Sequence, residues 1–189
     1  MAATLGGLKV TPLAVPSTKT DGRTLDNDSL GFVMQPQETP DWCWSAVGTS
    51  VGLFYGTGNW TQSDTANHIL GRTDCGLNPK PRGCLKGNRL DRSLTYTKSL
   101  NRFFEGTVDR EKIKQQIGET RPVCVRIAWT GDGAHFLAIT AYIAPAVAAN
   151  FRIRLQDSIY GTAYMLLTDF PTSYHGGATW SHTYLTKAN

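Results

Sequence analysis

The spacing of the apolar residues changes once along this chain, and that change limits the folds open to it. From Trp44 onward, apolar side chains fall at Trp44, Val47, Val51 and Phe54, the spacing of one helix face. Shorter helical patterns follow over residues 61–70 and 88–94. Asp109 then caps a helix through Ile117, with Gly118 as its stop. After Pro122 the period becomes two. Val123, Val125 and Ile127 alternate with Cys124, Arg126 and Ala128. Residues 135–143 are strongly apolar, and Phe151, Ile153 and Leu155 alternate with Arg152, Arg154 and Gln156. The tail adds an apolar run over 164–167, a short helix around 168–174, and a last strand over 179–185. Helices first and antiparallel strands afterwards predict an α+β architecture whose two parts face each other.

The helix beginning near Trp44 has a second message. Gly48, Gly52 and Gly56 lie four apart on another face. Glycine inside a helix costs about 1 kcal/mol relative to alanine, so a second element is expected to approach that face closely. Pro40 and Asp41 form a helix-start signal, with Asp41 as the expected N-cap. Cys43 then occupies the first turn, where free backbone N–H groups and the helix dipole favour the reactive thiolate.

At 189 residues the chain suits one domain, or two small lobes sharing a cleft. Residues 1–30, rich in Thr, Gly, Pro and Asp, read as a flexible leader or linker. Residues 30–34 read as a short strand, and 31–189 as the folded domain. No early basic cluster followed by an apolar core marks a Sec signal peptide. The expectation is therefore a cytoplasmic protein, or one delivered by a specialised secretion route. No apolar run is long enough to span a membrane. The net charge of +4 is modest, and no aromatic residues interleave with Arg72, Lys80, Arg82, Lys86, Arg89 and Arg92. A solvated face is expected there rather than a nucleic-acid surface. Cys124 sits in a strand pattern as a buried, inert thiol. Cys75 and Cys84 bracket a loop and are candidates for a small disulfide. A zinc site would need two further ligands, and only His68 is near, so no metal or other cofactor is expected.

Two residues of the strand half bear on Cys43. His135 opens a strand after a Gly-rich turn, a position from which a rigidly held imidazole reaches into a cleft. Asp157 continues the apolar row of Phe151, Ile153 and Leu155, and a carboxylate there is costly unless paired. Pairing with His135 would resolve that cost and fix the imidazole tautomer. Cys43, His135 and Asp157 then supply nucleophile, acid/base and orienting group. Gln37, six residues before Cys43, could donate to a tetrahedral oxyanion beside the Cys43 N–H.

These motifs resemble the papain-like cysteine proteases: Gln37, then Cys43-Trp44, then Gly133-Ala134-His135-Phe136, then Gln156-Asp157-Ser158. The segment Asp41-Trp42-Cys43-Trp44-Ser45-Ala46 and the tail Tyr174-His175-Gly176-Gly177 through Tyr184 are similar to the bacterial effector and toxin branch, which includes the avirulence proteases of plant pathogens. The resemblance spans about residues 35–187. It implies a two-lobed fold, with a helical N-terminal lobe and an antiparallel sheet lobe. The active site lies between them, with Cys43 as nucleophile, His135 as base, Asp157 as third member and Gln37 as oxyanion donor. It implies a protein substrate, and an immunity or inhibitor protein or a host activator as regulator. The chain departs from the family in having Asp157 where Asn is commoner, a lengthened His135–Asp157 gap, and Ala141 where Gly often stands. The same triad would also serve a transglutaminase or deamidase acting on side-chain amides, and a protease scaffold stripped of activity could serve as a binding module.

Overall fold

The computed structural model describes residues 28–129 and 133–188. These form four α-helices: α1 (Cys43–Phe54), α2 (Gln62–Leu70), α3 (Leu90–Tyr96) and α4 (Arg110–Gly118). Seven strands follow the same chain order: β1 (Asp28–Ser29), β2 (Leu100–Glu105), β3 (Val123–Trp129), β4 (Ala134–Ile143), β5 (Arg152–Asp157), β6 (Gly161–Leu166) and β7 (Ala178–Thr186). All belong to one antiparallel sheet in the order β2-β7-β3-β4-β5-β6. β1 pairs with β4 at Tyr142 and Ala141, beyond Ile139, where the β3 pairing stops. The protein is thus mixed helix and antiparallel sheet, as the change of period predicted. No helix among the described residues is long and apolar enough to cross a membrane.

The glycine face of α1 is closed as expected. Helix α3 packs on it so tightly that a methyl group at Gly48 would overlap the Ser93 hydroxyl, and at Gly52 a methyl group would come within 2.8 Å of Thr97, just past α3, and within 2.6 Å of the Trp60 ring, just before α2. The other sides of α1 meet α2 and β4, and ten of its residues, from Cys43 to Gly52, are buried. Thr61 caps α2 through its side chain, Gly71 ends it in the left-handed region, and Asp109 caps α4. Each of these follows from local chemistry at a helix end.

Several local expectations are corrected. The start of α1 is set by Trp42, not Asp41. A turn closed by the Trp42 N–H on the Thr39 carbonyl (3.1 Å) shifts the cap by one residue, and no side chain caps the helix. Residues 30–34 are not a strand. The pairing ends at Ser29, after which Leu30 and Phe32 insert into the core. Residues 168–174 form successive turns rather than a helix, since Pro171 has no N–H to continue one. Gly118 lies inside α4, and the left-handed residue beyond it is Thr120 (φ 59°). Strand β2 escaped the pattern because it is an edge strand with mostly exposed residues and no clean alternation. The proposed leader falls outside the described residues up to position 27. Its last residues belong to the sheet through β1.

Candidate active site

Cys43 is the first residue of α1. Both flanking tryptophans are fully buried, and each donates its indole N–H to the segment that follows the 75–84 loop. Trp42 Nε1 donates to the Cys84 carbonyl (2.7 Å) and Trp44 Nε1 to the Lys86 carbonyl (3.1 Å). The loop itself is closed by a Cys75–Cys84 disulfide. Lys80 crosses from it to Glu38 (2.8 Å) and lies over the Trp42 ring. The helix head that presents the thiol is therefore gripped on both sides. Asp74 comes near the two loop sulfurs, but these are bonded to each other and Asp74 is held by Arg72, so they offer no open metal-ligand set.

Strand register brings the other two groups together. Leu137 of β4 pairs with Asp157 of β5, so His135, two residues earlier on β4, is a diagonal neighbour of Asp157 on the same face. Their side chains close a buried contact, His135 Nε2 to Asp157 Oδ1, at 2.9 Å. The carboxylate is otherwise saturated. Oδ1 also accepts the N–H groups of Ile159 (2.7 Å) and Tyr160 (3.1 Å), and Oδ2 accepts the Tyr174 hydroxyl (2.8 Å). Burial pushes the Asp157 carboxyl up, but the hydrogen bond and charge of His135, with the Ile159 N–H and the Tyr174 hydroxyl, hold it below the usual range. Burial pulls His135 down. The hydrogen bond to Asp157, the interaction with Cys43 and the two negative charges outweigh it and bring His135 up to about 9. With Nε2 committed to Asp157, Nδ1 is the ring nitrogen left for Cys43. The Cys43 side chain lies close enough to the ring to help raise its proton affinity.

Cys43, His135 and Asp157 are thus brought together as the sequence pattern proposed. Gln37 joins them in an unexpected way. Its N–H donates to the Ser158 carbonyl (3.0 Å) and its Oε1 accepts the Ser158 hydroxyl (2.9 Å), which ties the approach to Cys43 to the residue after Asp157. Its side-chain amide donates to the carbonyls of Thr39 (2.8 Å) and Pro40 (2.7 Å). Both amide hydrogens are thereby used, and an oxyanion would have to displace one of these carbonyls.

Tyr174 was not anticipated as part of the site. It lies in a segment read as helical and appeared only within the tail motif, with no role attached. Burial and the Asp157 charge raise its hydroxyl well above the usual phenol value, so it stays a proton donor to the carboxylate. Its ring stacks on Trp129 (6.2 Å) and meets Phe170 edge-on (6.0 Å), an aromatic wall behind the His135–Asp157 pair. The remaining histidines lie apart from the triad. His68 stacks on Tyr96 (4.1 Å), His175 on Tyr160 (3.7 Å), and His182 lies 3.9 Å from Glu105. Cys124 is fully buried, and burial raises its thiol far above the ordinary value, which keeps it protonated and inert.

Cys43 and His135 open onto a cleft of about 920 Å³ between the head of α1, the 87–91 segment and the β2-β7-β3-β4 part of the sheet. That volume suits an extended peptide segment or a compact small molecule. Comparison with protein-family models and with curated proteins finds no match for the chain.

Proposed function

We propose that this protein is a cysteine peptidase of the papain-like type, in which the helical and sheet parts act as two lobes and the cleft between them binds a protein substrate. The observation that carries this reading is the 2.9 Å contact between His135 Nε2 and Asp157 Oδ1, on an imidazole that also interacts with a cysteine at the head of a helix. Such a set has a clear division of labour. The Cys43 sulfur attacks the scissile carbonyl carbon. The N–H groups at the head of α1, which have no intrahelical partners, stabilise the oxyanion, with Gln37 joining them if it releases the Pro40 carbonyl. His135, held as imidazolium near neutral pH, gives its proton to the leaving amine. It then accepts a proton from the water that attacks the acyl-enzyme, and the thiolate leaves. Asp157 stays ionised throughout, because three further donors besides the ring stabilise its charge.

The test is Cys43→Ala. A proteome digest treated with the wild-type protein is expected to gain new N-termini that are missing with the variant, and iodoacetamide is expected to label Cys43, which lines the cleft, ahead of Cys124, which is wholly enclosed. Cleavage that survives the substitution would refute the reading. Products that gain about one mass unit without new termini would assign the same triad to deamidation instead.

A further inference from the structure

Beyond Cys43 and His135, the cleft extends over a row of side chains on β2, β7 and β3. Glu105, His182 and Arg126 lie side by side across these strands, as do Phe103 and Tyr184 in the next row. The Tyr184 ring is fixed on three sides. It stacks on Phe103 (5.7 Å), meets Phe136 edge-on (5.9 Å) and stacks on His182 (6.4 Å). The residue is 3% exposed and lines the cleft, yet its hydroxyl makes no hydrogen bond among the described residues. That hydroxyl is a donor at the cleft wall, open to a partner on whatever the cleft binds.

Arg126 completes the site. Its Nη1 donates to the Ser181 hydroxyl (2.8 Å), and Ser181 in turn donates to the Arg126 carbonyl (3.1 Å), so the guanidinium is held by its own strand pair. No carboxylate pairs with it among the described residues, and its Nε and Nη2 edge remains available. The other charges of this region are already accounted for. Arg89 grips Asp91 with two hydrogen bonds (3.0 and 2.8 Å). The Glu105 side chain is 89% exposed and hydrated, with His182 Nε2 as its nearest partner. A planar cation with a free edge, beside an unpaired hydroxyl donor and between aromatic walls, is complementary to a carboxylate on a short aliphatic stem.

We propose that this end of the cleft selects an acidic side chain of the substrate, Asp or Glu, with Arg126 and Tyr184 as the donors that read it. The proposal rests on the peptidase reading above. It makes these two residues specificity determinants that do not touch the reacting atoms.

The experiment is cleavage-site profiling on a proteome-derived peptide library, followed by kinetics on one cleaved peptide made with Glu, Gln or Lys at the selected position. Wild type is expected to enrich Asp and Glu at a single position within a few residues of the scissile bond, with kcat/KM for the Glu peptide about 30-fold above the Gln peptide, the size of a charge-assisted, partly desolvated contact. In Arg126→Gln that ratio is expected to fall to within about threefold, and in Tyr184→Phe to fall by a smaller factor. If Arg126→Gln does not fold, the wild-type Glu-to-Gln ratio and Tyr184→Phe decide. Cleavage that depends on Cys43 but shows no acidic enrichment, or a Glu-to-Gln ratio unchanged in the folded variants, would overturn the proposal and leave the peptidase reading intact. Absence of any cleavage dependent on Cys43 would overturn both.

Discussion

Replacing Asp157 by Asn isolates the charge of the third residue from its shape. Asn keeps one oxygen to accept from His135, Ile159 and Tyr160, and its new NH2 group can donate to the Tyr174 hydroxyl, which needs only to rotate from donor to acceptor. The fold is therefore expected to survive. What changes is the proton affinity of His135. Its rise from an ordinary 6.5 to about 9 corresponds to about 3 kcal/mol, and it is achieved against the opposing effect of burial, largely through Asp157. Without that charge, His135 is expected to titrate near or below its ordinary value. At pH 8 the imidazolium fraction would drop from about nine-tenths to a few per cent, and activity by about 30-fold on that ground alone. The alkaline limb of the kcat/KM profile is then expected to move from about 9 to about 6.5 or lower. Stability follows the same linkage. A pKa raised by folding stabilises fully below 6.5 and loses its effect as pH rises through about 9. The stability gap between wild type and Asp157→Asn, measured by urea denaturation, is thus expected to be widest near pH 6 and to shrink by up to about 3 kcal/mol by pH 9.5. An alkaline limb that stays in place in a folded variant would refute the assignment of Asp157 as the source of the His135 basicity.

Three further outcomes follow from the same geometry. Tyr174→Phe removes one charge-assisted hydrogen bond from a buried carboxylate and is expected to cost about 1.5–3 kcal/mol in chemical denaturation at neutral pH. Because the depressed Asp157 pKa contributes stability that is lost as pH falls through it, the acid unfolding midpoint should also move upward, and an unchanged acid midpoint would contradict this role. Gly48→Ala drives a methyl group into Ser93 and is expected to destabilise by about 1–3 kcal/mol, in contrast to the usual gain for Gly→Ala in a helix, which a lowered Tm would register. Replacing Cys75 and Cys84 together by Ser opens a loop of sequence separation 9 and is expected to cost about 3 kcal/mol by loop entropy. Since the Trp42 indole hangs on the Cys84 carbonyl, the rate of Cys43 alkylation should change with it, and an unaltered rate would show that the helix head is held without the loop.

What could be read in the chain itself was local. Helix and strand periods, the caps at Thr61 and Asp109 and the turn at Gly71 depend on neighbours within a few residues, and they appear in the structure much as the pattern implies. The misplacement of Asp157 was also local: alternation along β5 puts it on the buried row of Ile153 and Leu155, and a carboxylate there needs a partner. The sequence by itself therefore determined the mix of helices and antiparallel strands, the place of Cys43 in the first turn of a helix, and the pairing need of Asp157. Tertiary structure alone decided which distant groups meet. The hydroxyl that donates to Asp157 Oδ2 comes from Tyr174, 17 residues on. The Gln37 side chain is tied to Ser158, 121 residues away, and the Trp42 indole reaches Cys84, 42 residues away. These contacts depend on strand register and on the exact path of turns, which no local spacing encodes. The same holds for the free edge of Arg126 beside the unpaired Tyr184 hydroxyl, a juxtaposition set by the pairing of β3 with β7.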